Sequence, residues 1–385
     1  MIRLRGMTWK HDRGLAPMLA TAAVFHASHP GVEIEWEARS LSEFGEAPIE
    51  QLADQFDLVV LDHPYMGELA NSASFLPLDQ FLPADLLRDL ENDSTGASHK
   101  SYCLGGHQWA LAIDAAAQVA GYRADLLERA GASLPRTWED VWELARVRRG
   151  FVSLPLWPLD ALMCFFTLCA NAGDPVLHDS QRAVGRDAGT YALHMLRRLR
   201  DCSVPEAMSE NPIAIWERMS SSDQTAYCPL AFGYSNYARR GYRPSRLSFG
   251  LIPSAGQGAV GATLGGAGLA ISARCAHRQT ALEYAAWVAS QDCQRSLYVQ
   301  AGGQPGRRSA WQDEDANRRT EGYFQATLPV LQNAWLRPRF AGFVEVQNRA
   351  ADVIARFLSD IVSTDQALRE LSLLLSIADD LSTAS

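Results

Sequence analysis

The sequence predicts an α/β protein, and three stretches near its start predict it. Ile2–Met7 reads as a strand and is followed by Leu15, Met18, Leu19, Ala22 and Phe25 at helical spacing. Val32-Glu33-Ile34-Glu35-Trp36-Glu37 alternates apolar and acidic residues, the pattern of a half-exposed strand. After a helical stretch around Ile49–Phe56, Asp57-Leu58-Val59-Val60-Leu61 is a continuous apolar run, as in a parallel strand covered on both faces. Strand, helix, strand, helix, strand implies a sheet whose ligands lie at the carboxyl ends of its strands. Two loops therefore come forward: Trp9-Lys10-His11-Asp12-Arg13 after the first strand and Asp62-His63-Pro64-Tyr65 after the third.

Beyond a polar stretch at Asn92–Ser101, two further strand segments are expected, one ending at Asp114 and one at Val119–Tyr122. Helices are predicted from Ala124 and from Thr137, where Thr137-Trp138-Glu139-Asp140 resembles a capping box with Asp in place of Glu. Leu159–Ala170 is apolar nearly all round, which suits a buried helix. Gly189–Arg200, Pro212–Ser220, Arg278–Ser290, Gln291–Ala301, Gly322–Ala334, Val344–Ser359 and Thr364–Ser376 also carry helical periodicity. Short strands are expected at Thr225–Ala231 and Ser248–Ile252, ahead of a glycine-dense segment from Gly256 to Gly268.

The chain has 385 residues, 47% of them hydrophobic and 21% charged, so it can bury a core without staples. A net charge of −9 argues against nucleic acid and against an anionic membrane surface as partner, since both select for basic chains. Seven cysteines, none in a CxxC pair, fit neither a disulfide framework nor a zinc module. No run approaches the ~20 apolar residues of a membrane-spanning helix. The start Met1-Ile2-Arg3-Leu4-Arg5-Gly6 lacks the apolar core of a secretory leader, which implies either a cytoplasmic chain or one whose leader has been removed.

Motifs for group-transfer chemistry are missing. Gly265-Gly266-Ala267-Gly268 lacks the Lys-Ser or Lys-Thr of a phosphate loop, and there is no H-E-x-x-H or G-x-S-x-G. His26 and His29 close a helix, where histidine is ordinary, and no metal or cofactor site is expected. Asp62 and His63 follow a buried strand and so either point into the crevice of the sheet or, for Asp62, cap the next turn. Asp114 likewise ends an apolar segment, and carboxylates accept several hydroxyl hydrogen bonds each. Trp9, Tyr65, Trp157, Tyr227, Tyr234, Tyr237 and Trp335 lie in or near expected loops, where a flat aromatic face could meet the C–H side of a sugar ring.

Five segments then resemble one family in its order along the chain. They are Leu111–Asp114 followed by Tyr122-Arg123-Ala124-Asp125-Leu126; Pro135-Arg136-Thr137-Trp138-Glu139; Leu264-Gly265-Gly266-Ala267-Gly268-Leu269-Ala270-Ile271-Ser272; Ala281–Val288; and Gly302-Gly303-Gln304-Pro305-Gly306-Arg307-Arg308. Together they resemble the extracellular solute-binding proteins of bacterial ABC transporters, family 1, the carbohydrate-type group. The resemblance implies a two-lobed periplasmic-binding-protein-like fold of the class II type, with crossing strands joining the lobes and a ligand cleft closed by a hinge. It implies lobe 1 at 1–113 and 266–309, lobe 2 at 114–265 and 310–385, and a periplasmic or extracellular location. It also implies ligand contacts from Lys10 and His11, Asp62 and His63, Asp114, Trp157, Tyr234 and Asn236, and Gly265 and Gly266. Ala267 stands where many sugar binders carry Trp.

The resulting expectation is a non-enzymatic, monomeric solute-binding protein that hands a sugar or polyol to ABC permease subunits. Trp9 joins the contact set as a loop aromatic, and Lys10 or Arg337 would accommodate an acidic sugar. A cytoplasmic sensor on the same fold is the alternative, and an enzyme using Asp62, His63 and Asp114 is a more distant one. Tyr227, Tyr234 and Tyr237 raise the question of ferric iron, but Lys10, Arg13, Arg239 and Arg240 would oppose a trivalent cation or a polyamine.

Overall fold

The computed structural model describes residues 1–40, 48–177, 183–256 and 258–383, with side chains to residue 376. The chain forms two compact units: Met1–Ala116, Gly265–Arg319 and Pro338–Ala341 make the first, and Ala117–Leu264, Thr320–Arg337 and Gly342–Ser385 the second. The first unit thus takes in residues 114–116, Gly265, residues 310–319 and residues 338–341, beyond the segments anticipated from sequence. Specific bonds account for this. Asp114 is tied to Arg13, Trp311 Nε1–H donates to Pro305 O at 2.7 Å, and Arg339 Nη1 donates to the carbonyls of Lys100, Ser101 and Cys103.

In the first unit the strand Ile2–Trp9 runs parallel to both Val32–Arg39 and Leu58–Leu61, and Leu58–Leu61 pairs antiparallel with Leu264–Ile271. Val32–Arg39 lies at the end of this order, so its alternating pattern buries Val32 and Ile34 and turns Glu33 and Glu37 to Arg3 and Arg5 on the neighbouring strand. All four residues of Leu58–Leu61 are buried, as a continuous apolar run requires. The first strand is longer than its hydrophobic pattern indicates. It extends to Trp9, which is therefore a strand residue and not a loop aromatic, and its ring lies across Gly14 within the hydrophobic core.

Leu111–Tyr122 is a single strand of twelve residues, not the two segments expected. Its middle, Ala115-Ala116-Ala117, has little β propensity and reads as a break. Small side chains are what the position needs, because neighbouring backbone runs close by. Ala115 N–H donates to Gln304 O at 3.0 Å, Gln304 Nε2 donates back to Ala115 O at 2.8 Å, and Gly266 packs on Asp114. The same strand continues into the second unit, where it pairs antiparallel with Tyr227–Phe232 and Ser248–Gly250. Tyr227, expected near a loop, opens that strand and is fully buried.

The second unit is built around the helix Pro158–Asn171, buried along almost its whole length and packed on the helices Arg186–Cys202 and Phe343–Leu358. The expected helix Gln291–Ala301, in the first unit, is interrupted: Gln291–Cys293 passes into a wider π turn at Gln294–Tyr298. There the buried Gln294 side chain donates to Val288 O at 3.0 Å and accepts from Gly306 N–H at 2.8 Å. Among the described residues no helix is long and apolar enough to cross a membrane.

The capping box is present as read. Asp140 N–H donates to Thr137 Oγ1 at 3.2 Å and Thr137 N–H donates to Asp140 Oδ2 at 2.9 Å. Backbone N–H groups of Arg136 and Thr137 hold the Asp140 carboxyl below the usual range. Thr137→Ala should therefore cost about 1 kcal/mol in urea unfolding. A loss below ~0.3 kcal/mol would show that the helix Trp138–Ala145 is held by packing alone.

Candidate functional site

The candidates divide between the two units, and each group is built separately. In the first unit they gather at the carboxyl ends of Ile2–Trp9 and Leu58–Leu61. Lys10 is exposed, and His11 caps the helix Asp12–Ser28, with Nδ1 accepting from Arg13 N–H at 3.0 Å. Asp62 caps the short 3-10 turn His63–Tyr65: its Oδ1 accepts from His63 N–H at 2.8 Å and lies 3.0 Å from His63 Nδ1. Turn capping is thus the role the geometry gives Asp62, though a carboxylate has acceptor capacity beyond these bonds. His63 is fully buried, edge-on to Tyr102 at 6.3 Å between ring centroids.

Asp114 sits inside the long strand rather than at its end, and its partner is Arg13. Arg13 Nε donates to Asp114 Oδ2 at 2.8 Å and Nη2 donates to Oδ1, a two-pronged fit of guanidinium to carboxylate. Both groups are almost completely buried. Burial pushes the Asp114 carboxyl up, the Arg13 guanidinium pulls it down, and Asp62 adds a smaller upward push. Arg13, read from sequence as a loop cation, is instead half of a buried pair in which each Asp114 oxygen accepts one bond from the guanidinium. Gly265 and Gly266 lie on Leu264–Ile271, and Gly266, at φ +116°, passes against the backbone of Asp114. Trp9, Arg13, Asp114 and Gly266 are therefore brought together as one packed group, with Arg13 5.9 Å from the Trp9 ring centroid.

In the second unit Trp157 leads into the helix Pro158–Asn171 and is 49% exposed. Tyr234 leads into the 3-10 turn Ser235–Ala238, which carries Asn236, and both are buried. The Tyr234 ring meets Tyr237 edge-on at 6.4 Å. Arg337 is buried, and its Nη1 donates to Gln347 Oε1 at 3.1 Å. Tyr237 donates its hydroxyl to Glu217 at 2.8 Å, and burial followed by that bond pushes its pKa up. Burial raises Tyr227 as well. Among the described residues no cluster of His, Cys, Asp or Glu could hold a metal ion.

One residue of this unit escaped the sequence reading. Asp160 is the single charged residue of Pro158–Asn171 and is buried. A lone acid in a helix otherwise apolar all round is the signal that could have found it.

A family model described as bacterial extracellular solute-binding protein matches residues 20–322. Among solved structures, maltose-bound MalE3 of T. maritima superposes with a TM-score of 0.83 at 19% identity, covering 98% of this chain and 100% of that one. An ABC transporter solute-binding protein of Agrobacterium radiobacter K84 in complex with ribitol gives 0.83 at 19%, covering 98% of each chain. One from Thermotoga lettingae TMO bound with α-D-tagatose gives 0.81 at 15%, covering 98% and 100%. At these identities the likenesses establish the two-lobed α/β fold.

Proposed function

The chain belongs to the bacterial extracellular solute-binding proteins, and from that premise we propose that it captures a sugar or polyol outside the cytoplasm and presents it to the permease subunits of an ABC importer. Members of this family bind substrates and do not transform them, and the Arg13–Asp114 pairing leaves Asp114 poorly placed as an acid or base. The observation that carries the ligand class is Trp157. An indole half in solvent at the head of a buried helix offers a ring face to the C–H groups of such a ligand. Maltose, ribitol and tagatose, held by structures of the same fold, share this chemistry of hydroxyls on a carbon skeleton.

A thermal-shift screen with maltose, ribitol, D-tagatose, amino acids and polyamines tests the reading. A ligand at 100 times its Kd should add about 2.7 kcal/mol to the folded state. Trp157→Ala should weaken binding by about 2 kcal/mol, and its own stability should change by less than ~0.5 kcal/mol because the ring is half exposed. A response to polyamines or amino acids alone would overturn the sugar or polyol assignment. Unchanged affinity in Trp157→Ala would remove the indole from the site.

A further inference from the structure

We propose that Asp160 is a further ligand-contacting residue, whose carboxyl group meets hydroxyls of the captured sugar or polyol beside Trp157; the proposal rests on the capture reading above. Asp160 is only 9% exposed, and its side chain has neither a hydrogen bond nor an ion pair among the described residues. Buried carboxyl groups are ordinarily hydrogen-bonded within the protein, and this one is instead open to a donor from outside it.

Its place in the helix explains why the protein itself supplies none. Asp160 is the third residue of the fourteen-residue helix, the position from which an acid normally reaches back to the N–H of the residue leading into the helix. That N–H, on Trp157, already donates to Glu210 O at 3.0 Å, and Pro158 has no N–H to offer. In the same unit Asp140 occupies the equivalent position and makes the reach-back bond to Thr137. Asp160 therefore does no capping. The third helical position and the leading residue share one side of the first turn, which puts the carboxyl on the Trp157 side.

The surroundings are apolar. The helix packs on Arg186–Cys202, Phe343–Leu358 and Tyr227–Phe232, and no cation from these elements acts on Asp160. The neighbouring titratable group is Cys164, one turn on, whose thiol burial pushes up and keeps neutral. Burial alone raises the Asp160 carboxyl to about 8, so it is mostly protonated at neutral pH. A ligand hydroxyl bonds more strongly to the ionised form, so binding should expel the carboxyl proton to solvent as the hydroxyl takes its place. Without ligand the sign is opposite for the fold. The native chain keeps a proton that the unfolded chain gives up in the ordinary carboxylate range, so this group lowers stability as pH rises from there towards about 8.

Calorimetry on the full chain with maltose, ribitol and D-tagatose, in buffers of different ionisation enthalpy, tests this. At pH 7 the wild type should release close to one proton per ligand, and Kd should fall by up to tenfold per pH unit between pH 6 and 8. Asp160→Asn, close to isosteric, should abolish both the release and the slope, and should melt higher than wild type at pH 8. Binding by wild type without proton release or pH slope overturns the role of Asp160 and leaves the capture reading standing. No response to any of the three probes overturns both.

Discussion

Asp114→Ala should destabilise the protein by about 3–5 kcal/mol, because it leaves the Arg13 guanidinium buried without its counter-charge. Arg13 is 4% exposed and cannot turn out to water without moving the first turn of its helix, where Gly14 lies under the Trp9 ring. Removing one partner of a buried pair is costlier than removing both. The double variant Arg13→Met/Asp114→Leu should therefore recover most of the loss, even though each single change is severe. Guanidinium unfolding of the wild type, both single variants and the double variant checks this. A loss under ~1 kcal/mol in Asp114→Ala would mean that water reaches Arg13 and that the pair is a surface interaction. The binding consequence is indirect. The same turn carries His11, whose ring nitrogen caps it, so a disordered first turn should also loosen the Lys10–His11 loop.

Gly266→Ala is expected to cost about 2–6 kcal/mol, the sum of a strained backbone and an overpacked contact at roughly 1–3 kcal/mol each. At φ +116° an L side chain is strained wherever it points. Its Cβ would stand 2.5 Å from Asp114 O and 3.0 Å from Ala115 Cα, backbone atoms that cannot rotate away. Gly105 separates the two contributions. It also has a positive φ, +60°, but a Cβ there meets nothing within 4 Å. Gly105→Ala should cost only the left-handed preference, about 1–2 kcal/mol. Equal losses at the two positions would show that the strand passage has room for a methyl group. Because Gly266 touches the segment that pairs with Arg13, combining Gly266→Ala with Asp114→Ala should give less than the sum of the two losses.

Some of this architecture was determined by the sequence alone. Hydrophobic periodicity is a local property, so the strand–helix–strand order of residues 2–61, the buried helix at 158–171 and the capping box at Thr137 were legible in one dimension. The ordered motifs carried the family, which the match over residues 20–322 establishes. What a side chain touches across 101 residues of chain was not legible, and Arg13–Asp114 is the clearest case. An arginine in a polar-looking loop and an aspartate after an apolar run read as independent groups until the fold sets the start of the helix Asp12–Ser28 against the strand Leu111–Tyr122. Trp9 went from loop aromatic to core residue because its strand is extended by backbone pairing to Arg39, which no alternation signals. The three alanines of Leu111–Tyr122 read as a break because propensity scores the residue, whereas the structure selects small side chains where backbone passes close. Asp160 shows the same division. Its sequence neighbourhood says only that an acid lies in an apolar helix, but whether it is satisfied depends on Glu210 having taken the one N–H it would use. Satisfaction of buried polar groups is settled by tertiary packing, and the candidate site is made of such groups.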